Sequence, residues 1–115
     1  MIEKIVLDYL ERTLDVPVSM EQPTDKRPGS SARYVVIQKT GSGMENYLCQ
    51  ATIAIQSYAP SLYQAAELNE AVKTAMFGII QLDDVTACRL NSDYEYTDPD
   101  RRQPRYQVVF DLVHY

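Results

Sequence analysis

The chain has no tryptophan, one histidine and two cysteines among its 115 residues. Each scarcity removes a class of chemistry. A single histidine cannot complete a Cys/His zinc site with two thiols, and neither Cys49 nor Cys88 belongs to a C-x-x-C pair. His114 stands one residue from the end, where a frayed side chain is the expectation, and no Ser-His-Asp or Cys-His set assembles around it from sequence. Apolar runs fall far short of the ~20 residues a membrane span needs. Glycine is sparse as well. Gly41-Ser42-Gly43 is too short for a phosphate loop, lacks the P-loop lysine and precedes a strand. Nothing resembles a signal peptide, so the two thiols are expected in a reducing, cytoplasmic setting.

What is present suits one folded domain over residues 1–115. The apolar share of 45% is enough for a core without staples. The net charge of −5 argues against a nucleic-acid backbone as partner, because phosphate binding wants a basic face. Nine tyrosines are unusual beside no tryptophan. Tyrosine tolerates half-burial, so it serves at interfaces as readily as in ordinary sheets.

Residues 2 to 14 place Ile2, Ile5, Val6, Tyr9, Leu10 and Leu14 on one helical stripe, and Pro17 ends it. A short strand is expected around Val18 to Met20. Residues 21 to 32 carry two prolines, a glycine and several charges, which predicts a flexible loop or an arm that orders against a partner. Arg33 to Lys39 reads as a strand with apolar residues on both faces. Gly41-Ser42-Gly43 is expected to turn the chain into a second strand, Tyr47 to Tyr58, with Ala51, Ile53 and Ile55 inward. That strand spans about 40 Å, so one end of the hairpin should project.

Ser61 and Gln64 match a capping box opening a helix that should run to about Gln81. Ala65, Leu68, Val72, Ala75, Met76 and Ile79 form its inner stripe, and Gly78 is expected to weaken its last turn by up to ~1 kcal/mol. Val85 to Tyr96 alternates as a long strand, with Cys88, Leu90, Tyr94 and Tyr96 on one face and Arg89, Asn91, Asp93 and Glu95 on the other. A tip at 97–104 is expected to project. The last strand then turns Val108, Phe110 and Leu112 inward. The order α-β-β-β-α-β-β predicts an α+β fold: a mostly antiparallel β-sheet with two α-helices packed on one face.

The carboxylates Asp93, Glu95, Asp98 and Asp100 are the best metal candidate, but EF-hand spacing is absent and two arginines dilute the charge, so solvated loop acids are the expectation. No catalytic, cofactor or metal residue is assigned. Subunit or tail contacts are expected at Arg27 in the first loop, at Tyr47 and Tyr58 on element ends, and at the charged tip: Asp98, Asp100, Arg101, Arg102 and Arg105. A basic tip on an acidic protein can pair with acids of a neighbouring copy. Tyr63, Tyr94 and Tyr96 also lie at element ends.

One pattern is specific. It comprises a short N-terminal helix before Val16-Pro17, a strand at Tyr34 to Gln38, a glycine break and a strand ending Ile53-Ala54-Ile55-Gln56-Ser57-Tyr58. A helix with Ala65, Leu68 and Val72 follows, then the D-P-x-x-x-x-P-R-Y-Q run from Asp98 to Gln107. Over nearly its whole length the chain resembles tail terminator (tail-completion, or minor tail) proteins of long-tailed bacteriophages. The resemblance implies a structural protein of the virion tail, assembled in the host cytoplasm and not an enzyme. It implies a ring, usually of six copies, on the end of the tail tube. The ring stops tube growth and presents a surface to the head connector. The implied partners are copies of itself, the tail tube protein and the head–tail connector protein, with no cofactor, no specific nucleic-acid binding and no membrane. The competing expectation is a small homo-oligomeric α+β ligand-binding or enzymatic domain, which needs a pocket between sheet and helices.

Overall fold

The apolar stripe of the first segment forms α1, Ile2–Thr13, which buries Ile2, Val6 and Leu10. We describe a computed structural model in which residues 1–21, 33–45, 47–97, 99 and 103–115 are placed. After Pro17 the chain makes a two-residue strand, β1 (Val18–Ser19), and later β2 (Tyr34–Glu45) and β3 (Leu48–Tyr58). Helix α2 (Leu62–Phe77) opens with the Ser61 hydroxyl accepting from the Gln64 N–H at 3.2 Å, half of the expected capping box. A 3₁₀ turn (Ile79–Gln81), β4 (Val85–Glu95) and β5 (Arg105–His114) complete the chain.

The five strands lie in the order β1-β2-β3-β5-β4. β1 runs parallel to β2, pairing Val18 with Val35, and every other neighbour is antiparallel. The fold is therefore α+β on a mixed sheet. Both helices cover one face. Val6 and Leu10 of α1 and Leu68, Val72 and Met76 of α2 pack on Val35, Ile37, Ile53, Ile55, Val108 and Phe110. Alternation along β2, β3 and β5 supplies that inner face because the pleat turns every second side chain toward the helices.

Three local expectations change. The hairpin does not turn at Gly41-Ser42-Gly43: those residues stay in the β2–β3 ladder, with Gly43 opposite Gln50. The left-handed backbone position falls on Tyr47, at φ 65°. The second helix ends at Phe77, not Gln81. There the Gly78 N–H bonds the Ala75 carbonyl at 3.0 Å and the Gln81 N–H bonds Gly78 at 3.1 Å, the tighter spacing of a 3₁₀ turn. The Tyr9 hydroxyl donates to the same Ala75 carbonyl at 2.7 Å. It lies 2.7 Å from where a Cβ on Gly78 would stand, so a larger residue there would have to displace the hydroxyl.

The third change concerns β4. Its pairing with β5 skips one residue between Leu90 and Ser92, a bulge that leaves Asn91 unpaired. Beyond it the faces exchange. Asp93 comes opposite inward-facing Val108, and Tyr94 opposite Gln107. Tyr94 therefore leaves the face of Leu90, and Asp93 leaves the face of Arg89. A second skip, between Val85 and Ala87, adds to the irregularity of this outer strand.

Candidate assembly surfaces

Four strands contribute to a connected set of polar and aromatic side chains on the sheet face turned away from the helices. Tyr34 of β2 and Tyr58 of β3 are cross-strand partners, and their rings stack with centroids 4.6 Å apart. Arg105 of β5, the next partner of Tyr58, donates from Nη1 to the Tyr58 hydroxyl at 3.0 Å. Its guanidinium lies 4.3 Å from the Tyr96 ring centre, and its Nε donates to the Tyr96 carbonyl at 2.6 Å. The Tyr58 hydroxyl donates to Gln56 Oε1, Gln56 Nε2 donates to Gln107 Oε1, and Gln107 Nε2 reaches the Tyr94 hydroxyl. Gln103 Nε2 donates to the Tyr34 hydroxyl at 2.9 Å. Burial is the chief reason the Tyr34 phenol is held above its ordinary range.

Farther along this face, Asp111 accepts from Thr52 at 2.8 Å and from Asn91 at 2.9 Å. Beside them lies a shallow groove of about 400 Å³ lined by Gly41, Gly43, Gln50, Thr52, Arg89 and Asp111, among others. The two glycines create it: on this face β2 carries no side chain at those positions. The groove is open, and among the described residues no nucleophile–base pair stands in it.

The expected contact residues divide. Tyr58 and Arg105 come together in the network, and Tyr58 is only 2% exposed, so within one chain its ring supports its neighbours and leaves no free area. Arg105 is half-buried and engaged with Tyr58 and Tyr96. Tyr47 stands apart at the β2–β3 turn and is 97% exposed. Arg27, Asp98, Asp100, Arg101 and Arg102 lie outside the described residues, as do residues 22–32 of the first loop and half of the tip at 97–104.

Of the acids considered for a metal, Asp93 and Glu95 are among the described residues, and both have other partners. Asp93 accepts from Asn69 and from Lys73, each at 2.7 Å, which ties β4 to α2. That contact and a second one to Glu70 raise the Lys73 ammonium above its ordinary range. Glu95 accepts from the Thr97 N–H at 2.6 Å, and its carboxyl is lowered by the Thr97 side chain first and by that N–H second. Among the described residues no three His, Cys, Asp or Glu side chains are grouped to hold a metal ion. The Cys88 thiol is pushed up to about 11 by burial, which suppresses the nucleophilic thiolate. Contrary to the frayed expectation, His114 is held in β5 between Cys49 and Val85.

Two features escape a reading of the sequence. Gln56 and Gln107 look like ordinary outward strand residues, yet register makes them partners. Phe77, Ile80 and Leu90 are about half exposed, at 50%, 54% and 44%. Two of them, Phe77 and Leu90, meet at Phe110. Phe77 meets Phe110 edge-on at 5.7 Å, and Leu90 pairs with Phe110 across the ladder. The only signal for it was Phe77 lying outside the inner stripe of α2. Comparison of the chain with models of protein families finds no match, and comparison with curated proteins finds none.

Proposed function

We propose that this chain is a structural assembly protein of the tail-terminator kind. Copies close into a ring on the end of a phage tail tube, stop addition of tube subunits and present a joining surface to the head connector. One observation carries the choice over a pocket-bearing domain. The layer between sheet and helices is filled: its core side chains, from Ile2 to Leu112, are each 8% exposed or less. Large apolar side chains are left outside instead, among them Met44 and Tyr47 at the end of the β2–β3 hairpin, Phe77 and Ile80 around the end of α2, and Leu90 on β4. Exposed apolar patches of that kind belong to surfaces that meet other proteins.

A ring also needs an interface in which one side of a copy meets a different side of the next. The two unlike outer strands, β2 beyond its pairing with β1 and the twice-bulged β4, supply different sides. Native mass spectrometry of the full chain tests the proposal. A closed particle, six copies by the family likeness, is expected. A chain that stays monomeric at every concentration overturns it, as does a particle that leaves tube elongation unaffected.

A further inference from the structure

We infer that the end of the sheet carrying the β2–β3 turn is a docking surface for a different protein, one whose contacting face sets arginine or lysine around an apolar recess. The inference rests on the reading of the chain as an assembly part and names the chemistry of a partner other than itself. Four strands build this end. Met44 pairs with Cys49, Cys49 with His114, and His114 with Val85. Just past that row lie Glu45, opposite Leu48, and Tyr115, whose N–H bonds the Asp84 carbonyl at 3.1 Å. Tyr47 precedes Leu48, and Asp83 precedes Asp84.

Two aromatic rings stand there uncovered. Tyr47 is 97% exposed and Tyr115 is 71% exposed, with Met44 in the adjoining row at 73%. Tyr47 has a left-handed backbone, at φ 65°. A bulky residue is strained in that region and glycine is not. With the ring almost wholly exposed, no packing within the chain offsets the strain. A tyrosine at this turn therefore works against the stability of the fold, and what it offers is ring area and a hydroxyl to another molecule. Tyrosine is a common anchor in the pockets of partner proteins.

Charge selects the occupant. Glu45, Asp83 and Asp84 are exposed at this end. None of the three has an ion pair among the described residues. The segments that form the end, 44–48, 82–86 and 113–115, contain no lysine or arginine. The same end of a second copy would set acid against acid, whereas a basic face complements it. Closure through the outer strands β2 and β4 leaves this end, which runs across four strands, open to the protein that the ring meets.

The test uses the isotope-labelled full chain and a short peptide of arginine and leucine, with the same peptide carrying glutamate for arginine as its control. By nuclear magnetic resonance the arginine peptide is expected to shift the backbone amides of Glu45, Leu48, Asp84 and Tyr115, and the glutamate peptide none of them. Shifts confined to other surfaces, or equal responses to the two peptides, overturn the inference. Asp83→Asn with Asp84→Asn should weaken the peptide contact by about tenfold, while self-association by sedimentation stays at the wild-type level. A loss of self-association would put this end between copies and overturn the assignment to a different protein. Tyr47→Gly separates binding from folding: its thermal midpoint should rise while its peptide affinity falls by about tenfold. A midpoint that falls shows that Tyr47 serves the fold, and the docking role falls with it. If wild type never self-associates while the mapped peptide contact holds, the ring proposal fails and this surface stands.

Discussion

Arg105 lies with its guanidinium 4.3 Å from the centre of the Tyr96 ring while its Nε holds the Tyr96 carbonyl at 2.6 Å. Tyr96 in turn donates its backbone N–H to the Arg105 carbonyl at 2.8 Å. One side chain thus closes the open end of the β4–β5 pair and, through the Tyr58 hydroxyl, ties it to β3. A planar, forked cation does this and an ammonium cannot. Arg105→Lys should lower stability by about 1–2 kcal/mol, read from the urea midpoint at constant slope. The loss should shrink in a Tyr96→Leu background. Equal losses in both backgrounds would show that the stacking contributes nothing.

Gly78 inverts the usual helix rule. Alanine there is expected from propensity to stabilise by up to ~1 kcal/mol. The Tyr9 hydroxyl occupies that space, and moving it gives up its bond to the Ala75 carbonyl. Gly78→Ala should therefore destabilise by about 1 kcal/mol or more. In a Tyr9→Phe background the same change should turn neutral or stabilising, by thermal unfolding of the four proteins of the cycle. An unchanged sign in both backgrounds would refute the account.

Alkaline pH should loosen the fold in sequence. Three groups have folded values above their ordinary ones: Cys88 by burial, Tyr34 chiefly by burial, and Lys73 chiefly through its bond to Asp93. Each contributes stability that is whole below its unfolded value and is lost as pH rises through the folded one. Stability is expected to hold through neutral pH and begin to fall near pH 9.0, the ordinary value for Cys88. Cys88→Ala should move that onset toward pH 10.0, where Tyr34 begins. Urea midpoints measured across this range decide it, and an onset unmoved by the substitution defeats the assignment.

Phe110 is fully buried at the centre of the inner sheet face, between Ile53 and Leu90 in the ladder and edge-on to Phe77. Phe110→Ala should cost about 3–5 kcal/mol, a large share of the stability of so small a domain. Because Phe110 also props the exposed Phe77 and Leu90, Phe110→Leu should keep the fold while weakening self-association, seen by sedimentation.

Salt offers a check on assembly as a whole. Every copy brings a formal charge of −5, so closure gathers like charge. Screening over a Debye length of ~8–10 Å should favour association between low and physiological ionic strength. An assembly that dissociates over this range would mean that ion pairs between copies outweigh the repulsion.

Local periodicity by itself determined the elements: the stripe of Ile2, Val6 and Leu10, the Ser61 cap, and the alternation that turns Ile53, Ile55, Val108 and Phe110 inward. These depend on backbone geometry that repeats every few residues, and neighbours in sequence carry it. Tertiary structure decided what no short window contains. The bulge at Asn91 reversed the faces of Asp93 and Tyr94, because a skipped partner is visible only in the pairing. α2 ends at Phe77, where the Ala75 carbonyl accepts both from the Gly78 N–H of the 3₁₀ turn and from the hydroxyl of Tyr9, far away in the chain. The network from Tyr34 to Tyr94 and the meeting of Phe77 and Leu90 at Phe110 follow from the strand order β1-β2-β3-β5-β4. That order is set by how the whole apolar surface is best covered, a property that belongs to the folded chain and to no segment of it.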